Sequence, residues 1–414
     1  MNARPSPAVY RRRRLIAALI ALGTLGLGGW GITSAATAIA APLPQARVEL
    51  TVPETDLGPA VAIDYPDVGA SAFGASGFDE LLGSSGEQTA APIASITKVI
   101  TALVILEARP IAAGEDGPVV TFDANDVDIR ARVIAENGSN APVSAGLTLT
   151  QRQALTAMLL PSANNYAISL ARWAYGTDDA FVAAARNWLA GKGLTDTTIV
   201  EPTGLSPLNT STPANLVELG ELALANPVVA DIVDDPVADI PGVGVLKNTN
   251  TLLGSAGIVG IKTGTTDEAG SCLLFASEFT VGSTPVVLVG VVLGGSSHES
   301  VDVDVLALIS SAQSGFREMT IGGTTEPVGT ASVPWGKRTD LNAGTSATLL
   351  QFSDIPLTRS VSVARSVGAA GDTVATLLVQ SGSQRIEIPL VAVQALPEPG
   401  VWWRLTHPER TATG

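Results

Sequence analysis

The chain is poor in the side chains from which many catalytic centres are assembled: its 414 residues include one cysteine, Cys272, and two histidines, His298 and His407. A single cysteine excludes an internal disulfide, and so few thiols and imidazoles leave few options for a zinc cage or a histidine-centred triad. No metal and no other cofactor is expected. Basic residues are scarce as well, with 24 Lys/Arg against 39 Asp/Glu. Residues 1–48 hold six Lys/Arg and no acid, so the remainder carries 18 against 39, a net charge of −21. That balance sets nucleic acid aside as a partner. Hydrophobic residues make up 46% of the chain, enough for a sizeable core, and its length allows a targeting segment and two domains.

Charge is absent altogether between Leu15 and Gln45, directly after Arg11-Arg12-Arg13-Arg14. A run of that length can span a bilayer, and the arginines keep its start cytoplasmic. Residues 1–14 are read as a basic cytoplasmic region and 15–41 as an anchor or signal segment. Ala38-Ile39-Ala40 before Ala41-Pro42 offers a small-x-small cleavage site, whereas the length of the run favours a retained helix. Either way the rest of the chain is expected on the extracytoplasmic face of the membrane. Residues 42–60, with Pro42, Pro44, Pro53 and Pro59, read as an extended linker.

The folded body begins with a strand expected at 61–65, with Ser71-Ala72-Phe73 as its hairpin partner. Ala94 to Leu106 then reads as a helix apolar nearly all round, hence buried. Within it Ser95 and Lys98 stand three residues apart, on one face. Burial disfavours an ammonium, so Lys98 can take a proton from Ser95 near neutral pH, while the helix N-terminus favours negative charge at the serine. Alone, the tetrapeptide is equally an ordinary helix with a snorkelling lysine.

Thr150-Gln151-Arg152-Gln153 has capping-box form and opens a helix that Pro161 stops. Ser162-Ala163-Asn164 falls in the break before the next helix, where Ser162 is either an N-cap or a side chain projecting into a cleft. A further helix is expected from Phe181 to Leu189. Residues 257–262, 271–277 and 285–293 are three apolar runs with short turns between them, expected as one antiparallel sheet covered by a helix over 301–316. The first ends in Lys262-Thr263-Gly264-Thr265, which is otherwise a hairpin with a lysine on its edge. From Arg317 onward short β-branched runs alternate with Gly, Asp and Ser, the texture of a small all-β domain over 317–406 followed by a tail, 407–414.

S-x-x-K on a buried helix, S-x-N between helices and K-T-G on a strand occur here in one order. This set resembles the penicillin-recognising serine acyltransferases, namely penicillin-binding proteins and serine β-lactamases. Residues 94–103, 160–165, 201–206 and 260–267 look like the low-molecular-mass D-alanyl-D-alanine carboxypeptidases, a similarity covering about 60–316. The resemblance implies an α+β fold of β-lactamase/transpeptidase type: an antiparallel sheet flanked by helices plus a helical lobe over 61–316, followed by the small β domain.

It also implies roles. Ser95 would attack the carbonyl between two D-alanines of a peptidoglycan stem peptide, Lys98 would take the serine proton, and Ser162 would relay a proton to the leaving amine. Asn164 would hold the substrate peptide, and Lys262, Thr263, Gly264 and Thr265 would form the carboxylate side of the site. The backbone N–H groups of Ser95 and Thr265 would make an oxyanion hole. Penicillins and other β-lactams would acylate Ser95. Relatives often place an arginine on the strand beside K-T-G, but no Lys or Arg occurs from Thr263 to Phe316, and Val287 is expected at that place. Cys272 is read as packing and His298 as surface polar.

Three alternatives stay open. Glu201-Pro202, between the second and third motifs, would suit a serine β-lactamase whose glutamate activates the deacylating water. A transpeptidase shares the acylation half and differs in what attacks the acyl-enzyme. A non-catalytic envelope protein would only bind wall peptide or partner proteins.

Overall fold

The computed structural model describes residues 7–112, 114–323 and 326–407. The start of the basic region, residues 1–6, and all but the first residue of the tail lie outside the described residues.

A 34-residue helix, Pro7–Ala40, opens the chain and is exposed along almost its whole length. The catalytic-type body that follows is organised by a five-stranded antiparallel sheet in the order Ile258–Thr266, Gly270–Val281, Thr284–Gly295, Ala70–Ala75, Gly83–Ser85. Its central strands are covered on both faces, so their apolar runs are nearly continuous instead of alternating. On one face Phe73, Phe275, Leu288 and Val292 pack with Val301, Val305, Leu308 and Ile309 of the helix His298–Ser314. On the other face Ile261, Leu274, Ala276, Val289 and Val291 join the core of a helical lobe.

At the centre of that lobe is the helix Thr97–Ala108, in which every residue from Thr97 to Leu106 is buried. Helices Gln151–Leu159, Asn164–Tyr175, Asp178–Gly191 and Pro213–Ala225 surround it, an environment that suits a helix without a polar face. The expected capping box is present: Thr150 accepts from Gln153 N, and the Gln153 side chain accepts from Thr150 N. The helix ends before Pro161.

Two expectations are corrected. Residues 61–65 form no strand; the Ala70–Ala75 strand instead pairs with Gly83–Ser85 and Thr284–Gly295, because Asp64 N is taken by the Ser311 hydroxyl and Val61 N by that of Ser353. Nor is 42–60 an extended linker. Arg47–Leu50 and Thr55–Asp56 form the two edges of a seven-stranded sheet whose other members come from residues 329–392. Both edge strands are short and proline-flanked, and they join through backbone pairing, which leaves little hydrophobic pattern to read. Only residues 51–54 separate them. A flat sheet of seven strands would be about 29 Å wide, whereas the chain from Leu50 to Thr55 reaches at most about 18 Å, so the sheet must curl. It closes over Ala331, Leu341, Leu377, Val379, Ile388 and Leu390, a core separate from that of the catalytic-type body.

Candidate active site

Ser95 sits in a short 3-10 turn, Ala94–Ile96, that feeds directly into the buried helix. Lys98 Nζ lies 2.8 Å from Ser95 Oγ and donates to the Thr203 carbonyl at 2.7 Å. Lys98 is fully buried, and that burial, reinforced by the positive charge of Lys262 and opposed by Glu201, holds its amine well below the ordinary lysine range. An amine of lowered basicity beside a hydroxyl has the geometry of a base and its nucleophile.

The Thr203 carbonyl belongs to a turn, residues 201–206, that has no counterpart in the helix itself. Thr101 Oγ1 donates to the Pro202 carbonyl at 2.8 Å, and Asn209 Nδ2 reaches Thr97 Oγ1 at 3.3 Å and the Glu201 carbonyl at 2.9 Å. Glu201 is not free as a water-activating carboxylate would be: both its oxygens accept bonds from its own loop. The observation that favoured a β-lactamase is thereby removed.

Ser162 has a left-handed backbone, φ +62°, and is not the N-cap of the following helix; Ala163 is. Ser162 Oγ and Asn164 Oδ1 are buried and have no hydrogen-bond partner among the described residues, which leaves both free for a substrate. Asn164 is held by its backbone N–H, which donates to the Ser139 carbonyl at 2.8 Å, and Gly138 leaves room for its amide: a Cβ there would lie 2.8 Å from Asn164 Nδ2. The neighbouring Asn165 pins Ala141 at both N and O, so the loop opposite is fixed too.

Lys262 is buried on the strand Ile258–Thr266, with Nζ 3.1 Å from the Thr263 carbonyl and 3.4 Å from Thr249 Oγ1. Burial brings its amine down to about 7. Thr249 Oγ1 is 2.6 Å from Thr263 Oγ1, and Thr249 N donates to the Leu160 carbonyl, which ties the K-T-G strand to the Ser162 loop. Thr249 was not anticipated; nothing in its sequence neighbourhood marks it. Gly264 passes against the serine turn, where a Cβ would be 3.1 Å from Ser95 N. That close approach brings the Ser95 backbone N–H beside the strand carrying Thr265, as two donors sharing one oxyanion require.

The carboxylate side differs from the expectation. Val287 pairs with Glu278 near the far end of the sheet, whereas Thr265 pairs with Ser271 and Ser271 with Gly295. The side chain that arrives beside the K-T-G strand is His298: its Nε2 is 2.7 Å from Thr265 Oγ1. It is exposed, as expected of a surface residue, yet it touches the site. The helix that carries it begins immediately after the sheet strand, which is a tertiary placement the Gly-Ser-rich context did not signal. Cys272 is fully buried, with its thiol pushed up to about 11 by burial, and behaves as packing.

A family model described as D-alanyl-D-alanine carboxypeptidase, peptidase S11, matches residues 78–297. Among curated relatives, a D-alanyl-D-alanine endopeptidase of Pseudomonas aeruginosa is 31% identical over 217 residues, 51% of this chain and 66% of that protein. The D-alanyl-D-alanine carboxypeptidase DacB2 of Mycobacterium tuberculosis is 31% identical over 225 residues, 52% of this chain and 73% of that one. The chain thus spans about two thirds of the length of these relatives. The crystal structure of the Streptomyces K15 DD-transpeptidase superposes with a TM-score of 0.53 at 26% identity, covering 60% of this chain and 98% of that one. Because the family model extends over more than half of its length and contains all three motifs, the chain belongs to the peptidase S11 family of D-alanyl-D-alanine carboxypeptidases.

Proposed function

We propose that this protein is a serine-type D-Ala-D-Ala carboxypeptidase that removes the terminal D-alanine of peptidoglycan stem peptides through an acyl-enzyme on Ser95, and that penicillins acylate the same oxygen. The observation that carries the reading is the 2.8 Å approach of a buried, low-basicity Lys98 amine to Ser95 Oγ. Lys98 Nζ takes the hydroxyl proton as Oγ bonds to the carbonyl carbon of the penultimate D-alanine. The Ser95 and Thr265 N–H groups hold the resulting oxyanion. Ser162 passes a proton to the departing nitrogen, the C–N bond breaks and D-alanine leaves; water then attacks the ester and frees Ser95. Asn164 holds the substrate peptide. Lys262, with the hydroxyls of Thr263 and Thr265, takes the terminal carboxylate, and the close passage of Gly264 permits this arrangement.

Intact-mass measurement after incubation with benzylpenicillin should show one adduct mapping to Ser95, and an N-acylated tripeptide ending in D-Ala-D-Ala should release D-alanine. No adduct on folded protein refutes the assignment. A second reading, transpeptidation, is favoured by the name of the Streptomyces K15 structure, a DD-transpeptidase. Supplying an amino acceptor with the tripeptide separates the two by whether a cross-linked product or free acid accumulates.

We further propose that the helix Pro7–Ala40 is retained as an anchor and holds the body on the extracytoplasmic face. From Leu15 to Ala40 it rises about 39 Å, more than the roughly 30 Å hydrocarbon core. Arg404 of the C-terminal helix Val401–Thr406 donates to the carbonyls of Ile39 and Ala41, so the end of the long helix is packed into the folded body. Retention in membranes after an alkaline carbonate wash is expected; a soluble product lacking residues 1–40 would refute it.

A further inference from the structure

Glu201 is a motif residue that the catalytic steps above leave without a task, and it is bonded more heavily than a loop residue needs to be. Oε2 accepts from Thr203 N at 2.6 Å and Thr203 Oγ1 at 2.7 Å. Oε1 accepts from Gly204 N at 2.6 Å, Asn209 Nδ2 at 3.0 Å and Ser206 N at 3.3 Å. A carboxylate offers about four acceptor positions, so it is saturated by its own loop. The product of that saturation is a tight turn with the Thr203 carbonyl directed at Lys98 Nζ, 2.7 Å away. The turn is wedged under the nucleophile: Gly204 has φ +88°, and a Cβ there would fall 1.8 Å from the Ala94 carbonyl oxygen. Ile93 N closes the unit by donating to the Asn209 carbonyl at 3.1 Å.

The chemistry of the amine gives this arrangement a purpose. A neutral lysine has two N–H bonds and one lone pair, and rotation about its last carbon–nitrogen bond moves the lone pair freely. Committing one N–H to a fixed carbonyl limits that rotation to arrangements in which the lone pair can face Ser95 Oγ. The charged groups bearing on Lys98 are Lys262 and Glu201, and Glu201 is the one whose charge keeps the amine from losing basicity further.

We propose that Glu201 is a positioning residue of the acylation step, holding the Thr203 carbonyl that orients the Lys98 amine toward Ser95. This rests on Lys98 being the base that activates Ser95.

The test is the second-order rate of acylation by a fluorescent penicillin across pH, measured on the full-length protein and normalised to the fraction that labels at saturation. Glu201→Gln puts an N–H₂ among donors and removes the anion. The normalised rate should fall at least tenfold, and its acid limb should move to lower pH, because burial and Lys262 then act on Lys98 unopposed. Glu201→Asp keeps the charge and withdraws the carboxylate by one methylene; its rate should fall while the limb stays. A residue that serves only to fold the loop would reduce the labelled fraction or the melting temperature and leave the normalised rate of the remaining molecules at the wild-type value. That result in Glu201→Asp overturns the proposal, even if Glu201→Gln fails to fold. An unmoved limb in folded Glu201→Gln overturns it as well. Absence of any Ser95 adduct in the wild-type protein would instead remove the assignment of Lys98 on which the proposal rests.

Discussion

Replacing Lys262 by glutamine separates the grip on the substrate carboxylate from the chemistry on Ser95. The Lys262 side chain is only 2% exposed, and its Nζ meets hydroxyl and carbonyl oxygens instead of a carboxylate. Burial alone brings it from the ordinary 10.5 to about 7. The sign follows: with the folded value depressed, the ammonium is lost as pH rises through about 7 in the free enzyme, and capture of a carboxylate weakens above that. The ammonium fraction falls from about one half at pH 7 to about 1% at pH 9, so kcat/KM for a D-Ala-D-Ala tripeptide should drop about 50-fold over that range. Leaving a buried substrate carboxylate unpaired costs about 2–4 kcal/mol, so Lys262→Gln should lose roughly 30- to 1,000-fold in kcat/KM near neutral pH and flatten this limb. D-alanine release at sub-saturating substrate reads both effects, with the C-terminal amide of the same peptide as comparator. The amide should be slow with either enzyme and nearly indifferent to the substitution. An equal loss on the amide, or a limb that survives in Lys262→Gln, would refute the role. The same depressed basicity makes a linked prediction for folding: an unfolded lysine binds a proton that the folded one does not between about pH 7 and 10.5, so this residue's contribution to stability rises with pH in that window. Denaturation midpoints of Lys262→Gln should lack that rise.

Gly204→Ala forces a side chain at φ +88° into the Ala94 carbonyl oxygen. It is expected to destabilise the protein by at least about 2 kcal/mol and to slow penicillin labelling of Ser95, as read by chemical denaturation and adduct formation; an unchanged midpoint would show that the turn is not wedged there. His298→Ala removes the partner 2.7 Å from Thr265 Oγ1. KM for the carboxylate-ended tripeptide should rise several-fold with kcat little changed, an outcome that steady-state kinetics checks, and an unaltered KM would return His298 to the ordinary surface.

The parts of the site that depend on neighbours in sequence were legible without coordinates. Ser95 and Lys98 are three apart where a 3-10 turn runs into an apolar helix, and helical geometry by itself puts amine beside hydroxyl. Ser162 and Asn164 follow a helix-stopping Pro161, and Lys262 to Thr265 lie on an apolar run, so their local settings follow from short-range rules. The three sheet strands are legible as apolar runs between short turns, the closing helix by its helical spacing and the β-rich C-terminal region by its short β-branched runs, for the same reason. The seat of Lys98 did not have that legibility. It is a carbonyl 105 residues away, at Thr203, aimed by a carboxylate whose five bonds appear only once the loop folds. Backbone carbonyls leave no mark in a sequence, since every residue has one. Sheet register decided the carboxylate side: it sends Val287 to the distant end of its strand and lets the helix after Gly295 deliver His298 to Thr265. Long-range pairing also turned the proline-rich segment 42–60 into both edges of the C-terminal sheet, because edge strands are held by backbone bonds that need no hydrophobic pattern. Sequence alone therefore determined the local setting of each candidate site group, through spacing and burial. Tertiary structure decided which carbonyl meets the Lys98 amine and which side chain stands beside Thr265, because those contacts join segments with no pattern in common.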